Sequence, residues 1–154
     1  MPSIAEQLKK MTINKQITSN GVSWADILRN ETNRLKQFIQ DELDMAYMSY
    51  YPKVYHRTGL FQQSLFVDDA ISISASGKQL TMNVKFNDLA YHNSLWNGSD
   101  GYLPVLWSEG WTWKNQSNSR ERFTYWGGNH FLKNAVDKYN NNNSYGIVAK
   151  IERY

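Results

Sequence analysis

Glu109 is the acidic residue best placed for chemistry, standing between Trp107 and Trp111 with Trp113 close behind. An acid beside aromatic faces suits glycoside hydrolysis, where sugar rings stack and a carboxyl group protonates the leaving oxygen. That reaction needs a second carboxylate. Asp69, Asp88 and Asp100 are the candidates, and the sequence does not choose among them. Tryptophan around a single acid is equally the composition of a packed interface loop. The three histidines, His56, His92 and His130, fall outside any metal-ligand spacing, and the chain has no cysteine to complete a site. No metal or cofactor is expected. His92 and His130 read as loop and helix-start residues making ordinary hydrogen bonds. Trp126-Gly127-Gly128-Asn129 lacks the lysine and the preceding strand of a phosphate loop, and no serine sits in a nucleophile elbow. Arg57 can grip a phosphate or carboxylate, but pairing with a nearby or neighbouring-subunit acid is the simpler role. These groups do not cohere into a catalytic set, and the expectation is a protein that is not an enzyme.

The 154 residues are enough for one domain with a true core, and 41% hydrophobic against 20% charged argues against disorder. No apolar run approaches the length that spans a bilayer, and the N-terminal residues lack a signal-peptide layout. The absence of cysteine fits synthesis in a reducing cytoplasm. The formal charge of +3, from 17 basic and 14 acidic side chains, is scattered. It permits passing contact with DNA without the clustered charge of a dedicated binder. Aromatic residues make up 14% of the chain, an excess that suits interfaces, stacking platforms or an aromatic core.

The elements that must position these residues follow from periodicity. Residues 1–20, with Ile4, Leu8 and Met11 at helical spacing, read as a short helix or arm ahead of a single domain over 21–154. Ser23 caps a long helix that runs to Pro52. Its apolar stripe comprises Trp24, Ile27, Leu28, Leu35, Phe38, Ile39, Met45 and Ala46. Asp41, Glu42 and Asp44 read as a solvated face. Thr58 and Gly59 open a short helical turn. Residues 70–76 and 80–86 then alternate strictly around Gly77-Lys78, as in an antiparallel hairpin. Residues 87–128 read as a long irregular aromatic stretch, with a short strand expected near Tyr102–Trp107. Asn129 caps a second helix bearing Phe131, Leu132, Ala135, Val136 and Tyr139, which ends in the tract Asn140–Asn143. Ile147–Ile151 reads as a closing strand.

The run Tyr55-His56-Arg57-Thr58-Gly59-Leu60-Phe61-Gln62-Gln63-Ser64-Leu65 resembles the minor virion proteins of tailed bacteriophages that complete the tail or join it to the head. The likeness extends to Glu109-Gly110, to Phe131-Leu132-Lys133-Asn134-Ala135 and to the last apolar run. His130 stands where the family's helix often begins with proline, and the tryptophan-rich stretch is unusual for it. The resemblance implies an α+β fold in which a long N-terminal helix packs on a small, mainly antiparallel sheet with a second helix. It further implies a virion location and a non-enzymatic subunit of an oligomeric ring. The neighbours would be further copies and other neck or tail proteins, around a channel that DNA traverses. The expected interface draws on the arm 1–20 and the stretch 89–128, with Arg57, Trp96, Trp107, Glu109, Trp111, Trp113, Tyr125 and Trp126. A carbohydrate-binding or cell-wall-active protein is the rival from another class.

Overall fold

The computed structural model describes residues 21–49, 59–93, 100–109, 111–114, 123–126 and 128–152. For 92, 93, 100–102, 106, 107, 111–114 and 123–126 it describes the backbone alone. The architecture is α+β: a long helix lies against a two-stranded antiparallel sheet and a second helix.

Helix α1 (Trp24–Ser49) has 26 residues, about 39 Å at 1.5 Å per residue. Ser23 starts it. Its Oγ accepts from the Ala25 N–H at 3.2 Å, and its carbonyl accepts from Asp26 and Ile27. The buried face carries Ala25, Ile27, Leu28, Ile39, Leu43 and Ala46. Trp24 and Met45, expected on that stripe, are exposed instead, because they lie at its edge where no described element covers them. The acidic stretch is corrected too. Glu42 is buried and accepts a hydrogen bond from Lys138 Nζ, so only part of that face is solvated.

Gly59, at φ 72°, is in the left-handed region that glycine enters without a Cβ clash. It holds the cap position of α2 (Leu60–Gln63) and makes no side-chain cap bond. Thr58, expected to open this turn with Gly59, falls outside the described residues. Phe61 then projects into the centre of the core, 2% exposed, with ring neighbours Tyr47, Phe86 and Phe131 at centroid distances of 6.1, 5.7 and 6.1 Å. Ser64, fully buried, satisfies its hydroxyl on the Phe61 carbonyl at 2.6 Å and accepts the Asn87 N–H at 2.9 Å. The turn therefore fastens both ends of the hairpin to α1.

Strands β1 (Leu65–Ile73) and β2 (Leu80–Phe86) pair antiparallel, from Leu65 opposite Phe86 to Ile73 opposite Leu80. β1 begins five residues earlier than the alternation 70–76 suggested and stops before Ser74. A bulge explains the difference: residues 69–71 oppose Met82 alone, so the strict alternation sampled only the strand's last turn-side part. Lys85 binds Asp68 at 2.6 Å across the pair, holding that carboxyl below the usual carboxylate range with help from the Ala70 N–H.

The stretch 87–128 is not one irregular loop. It contains a 3-10 turn (Asp88–Ala90), β3 (Tyr91–Asn93) paired with β4 (Asp100–Tyr102), helix α3 (Leu103–Glu109), and β5 (Trp111–Lys114) paired with β6 (Phe123–Trp126). Of the strand expected near Tyr102–Trp107, Tyr102 ends β4 and the rest is helical from Leu103. Pro104 sits in the first turn of α3, where its missing N–H costs no bond. Helix α4 (Phe131–Asn142) packs along α1 and closes the core of Ile39, Leu43, Phe61, Leu65, Ala90, Phe131 and Ala135. Ile147–Ile151 forms no strand.

Phe61→Ala should cost about 3–5 kcal/mol of unfolding free energy in urea, the usual loss for a buried aromatic. Leu60→Ala, one residue away but 43% exposed, should stay within about 0.5 kcal/mol of the parent. Equal losses would show that the core is centred elsewhere.

Candidate interaction cleft

A broad cleft lies between α1, the outer side of β2, helices α3 and α4, and the segment 146–152. Its wall carries Leu28, Leu35, Ile39, Leu132 and Val136 together with the polar pair Glu31 and Tyr139. Tyr139, 1% exposed, donates its phenol hydrogen to Glu31 Oε2 at 3.0 Å, and Arg34 approaches the same carboxylate at 3.6 Å. Arg34 also donates to the Asn142 carbonyl and lies over the Phe38 ring. Burial, then the Glu31 hydrogen bond and charge, push the Tyr139 phenol well above the ordinary tyrosine range. This pair and the Lys138–Glu42 contact clamp α4 onto α1 at the polar positions of both helices. The rim is apolar: Trp24, Val105, Val148 and Ile151 are all exposed.

The segment 146–152 is held by amide side chains. Gly146, at φ 68°, reverses the chain after α4. Asn140 then reads Ala149 as a neighbouring strand would, its Nδ2 donating to the Ala149 carbonyl at 3.1 Å and its Oδ1 accepting the Ala149 N–H at 2.9 Å. Asn143 Nδ2 donates to the Ile147 carbonyl at 2.8 Å. The asparagine tract therefore ends the helix, with Asn143 at its C-cap, and supplies a pair of clasps.

Glu109 lies exposed at the end of α3 on the wall of this cleft, and Asp88 lines the same cleft. Of the other carboxylates considered, Asp69 is exposed in the β1 bulge away from it, and Asp100 is in β4. Trp107 belongs to α3. Trp111, Trp113, Tyr125 and Trp126 belong to one ladder in which Trp111 opposes Trp126 and Thr112 opposes Tyr125. Arg57, Trp96 and His56 lie outside the described residues, and His92 is in β3. His130 is an exposed residue at φ 56° whose N–H donates to the Ser108 carbonyl at 3.0 Å, joining α3 to α4. A proline there can supply neither that φ nor that donor. The cap position of α4 is held by His130, which makes no side-chain cap bond, and not by Asn129 as expected; Asn129, one residue earlier, accepts the Phe131 N–H at 3.1 Å. Among the described residues no three His, Asp or Glu side chains gather as a metal site, and no helix is long and apolar enough to cross a membrane.

Glu31, Tyr139 and the asparagine clasps were not singled out from sequence. The available signal was the three-residue spacing of Asn140 and Asn143, which places both on one side of a helix. No family model, curated protein or solved structure matches the chain.

Tyr139→Phe should cost about 1–3 kcal/mol by leaving the buried Glu31 carboxylate short of a donor. The parent should also lose stability as the pH rises above about 10. There the unfolded phenol ionises while the folded one keeps its proton, so the contribution is complete only below the ordinary tyrosine pKa. Urea titrations at pH 8 and 10.5 should show a smaller decline for Tyr139→Phe; an equal decline would assign the effect to other groups.

Proposed function

We propose that this chain is a non-enzymatic virion structural protein, one subunit of an oligomeric ring at a phage head–tail neck or tail end. The motif resemblance supports this reading, as does the order of long helix, Gly-Leu turn, hairpin and second helix. The observation that carries it is the placement of apolar surface at opposite ends of α1. Trp24 is exposed at the first end, beside Val22, and Met45 and Met48 at the other, Met48 at 86%. Two unlike patches separated by most of a 26-residue helix suit a head-to-tail contact, in which one face of a subunit meets a different face of the next. Closing such contacts makes a ring. Methionine adapts to a neighbour's shape, and tryptophan anchors interfaces. Copies of this chain and adjoining neck or tail proteins are the partners, with DNA passing through the channel.

Light scattering over a wide concentration range should give a ring-sized mass, or a monomer that becomes one as concentration rises. Trp24→Asp and Met48→Asp should each abolish it. Mixed, the two variants retain one intact face apiece and should form a dimer that grows no further. A mixture that rebuilds rings would overturn the head-to-tail arrangement.

A carbohydrate-binding or cell-wall-active role is favoured by one feature, the presence of Asp88 and Glu109 on the cleft that the tryptophan-bearing ladder follows in sequence. On that reading, oligosaccharides shift the tryptophan fluorescence and Glu109→Gln removes a measurable wall-degrading activity. On the structural reading, neither change occurs.

A further inference from the structure

We propose that β2 pairs with β2 of a second copy, antiparallel and edge to edge, so that two hairpins join into one four-stranded sheet. The direction of β2's backbone groups is fixed at both of its ends. The Ser74 N–H donates to the Gln79 carbonyl at 2.9 Å, and the Asn87 N–H donates to the Ser64 carbonyl at 2.9 Å. Antiparallel pairing alternates between those points, so Thr81, Asn83 and Lys85 turn their N–H and C=O groups toward β1. Leu80, Met82 and Val84 turn theirs to the other edge. Among the described residues those groups make no hydrogen bond, and no strand other than β1 pairs with β2. Residues from both faces of β2 line the cleft, as they do where a strand borders open space by its edge. Such an edge is usually guarded by shortness, a proline, a bulge or an unengaged charge. This one runs seven residues without proline, the bulge is in β1, and Lys85 is bound to Asp68.

Charge and register name the occupant. Lys78 and Asp88 stand two residues beyond β2 at its two ends; both are exposed, and neither has an ion-pair partner among the described residues. Between them Leu80, Met82, Val84 and Phe86 recur at every second position. The stretch is its own complement. Laid antiparallel on a second copy with Asn83 opposite Asn83, it sets Lys78 of each chain beside Asp88 of the other. The same register sets Met82 opposite Val84 and Leu80 opposite Phe86, each twice. Residues whose backbone bonds point outward thus meet residues of the same kind. A slip by one residue sets outward groups against inward ones and parts both ion pairs. One chain has a single β2, so the partner is necessarily another molecule. The contact is a two-fold, self-complementary one, distinct from the head-to-tail contact between the ends of α1.

The pairing does not rest on the ring reading, and because the contact is small it is best trapped covalently. The chain has no cysteine, so Asn83→Cys introduces a single thiol. In a non-hydrogen-bonded antiparallel pair the two Cα atoms are about 4.5 Å apart, within disulfide reach. Mild oxidation should convert purified Asn83→Cys to a covalent dimer on a non-reducing gel. Thr81→Cys lies on the same face but opposite Lys85, so its thiols are out of step and should give about tenfold less dimer. Added to Asn83→Cys, Lys78→Asp or Asp88→Lys sets like charges together at both ends and should lower the yield about tenfold. Both swaps together should restore it, and all reduced variants should unfold thermally with the parent. Equal cross-linking at 81 and 83 marks random collision and overturns the pairing, as does no cross-link at 83. A double swap that fails to restore the yield overturns the register. With Met48→Asp, which breaks the head-to-tail contact, Asn83→Cys should still dimerise. A yield lost in that background overturns an independent β2 contact and leaves the ring reading standing. Rings absent from the parent while Asn83→Cys still dimerises overturn the ring reading alone.

Discussion

The structure depends on burying one aromatic ring. Phe61 occupies the point where α1, the hairpin and α4 converge, with Tyr47, Phe86 and Phe131 around it, one ring from each of those three elements. A short sequence does this only because Gly59 enters the left-handed region and turns the chain sharply into α2. Any residue with a Cβ pays roughly 1–2 kcal/mol there. The neighbouring Ser64 removes the remaining difficulty, since a buried hydroxyl and carbonyl must both find partners, and they find Phe61 and Asn87. The motif that suggested a phage family is thus first a device for assembling a core.

A second set of contacts is polar. Glu31 with Tyr139, and Glu42 with Lys138, lock α4 against α1 beside the edge-on contact of the Tyr139 ring with Phe38. Buried ionic groups add little net stability over apolar residues of equal size, but each leaves a large penalty if its partner is displaced. Their effect is to set how α4 lies on α1. That register in turn fixes where Asn140 and Asn143 hold the final segment, and hence which backbone groups remain outward.

Function and fold meet in what is left uncovered. Among the described residues, exposed apolar side chains include Val22, Trp24, Met45 and Met48 at the ends of α1, and Tyr91, Val105, Val148 and Ile151 around the cleft. Surface of this kind is costly in water and is retained where a neighbour covers it. The acids Asp88 and Glu109 share the cleft wall, so the same surface carries the material for the rival reading.

The sequence by itself determined the elements with strong local signals. Ser23 and the 3.6-residue stripe specified α1, Gly59 the turn, the alternation through Leu80–Phe86 the second strand of the hairpin, and the apolar spacing of Phe131, Ala135 and Tyr139 the buried face of α4. These follow from propensities and caps acting within a few residues. Tertiary structure decided what depends on distant partners. Glu31 and Glu42 look like surface acids until Tyr139 and Lys138, about a hundred residues away, bury them. Tyr102–Trp107 has strand-like composition, yet the chain coils there from Leu103, with Pro104 tolerated in the first turn and Ser108 buried against the start of α4. Ile147–Ile151 has the alternation of a strand, but a strand requires a second backbone. Here two asparagine side chains supply one edge in place of a second strand.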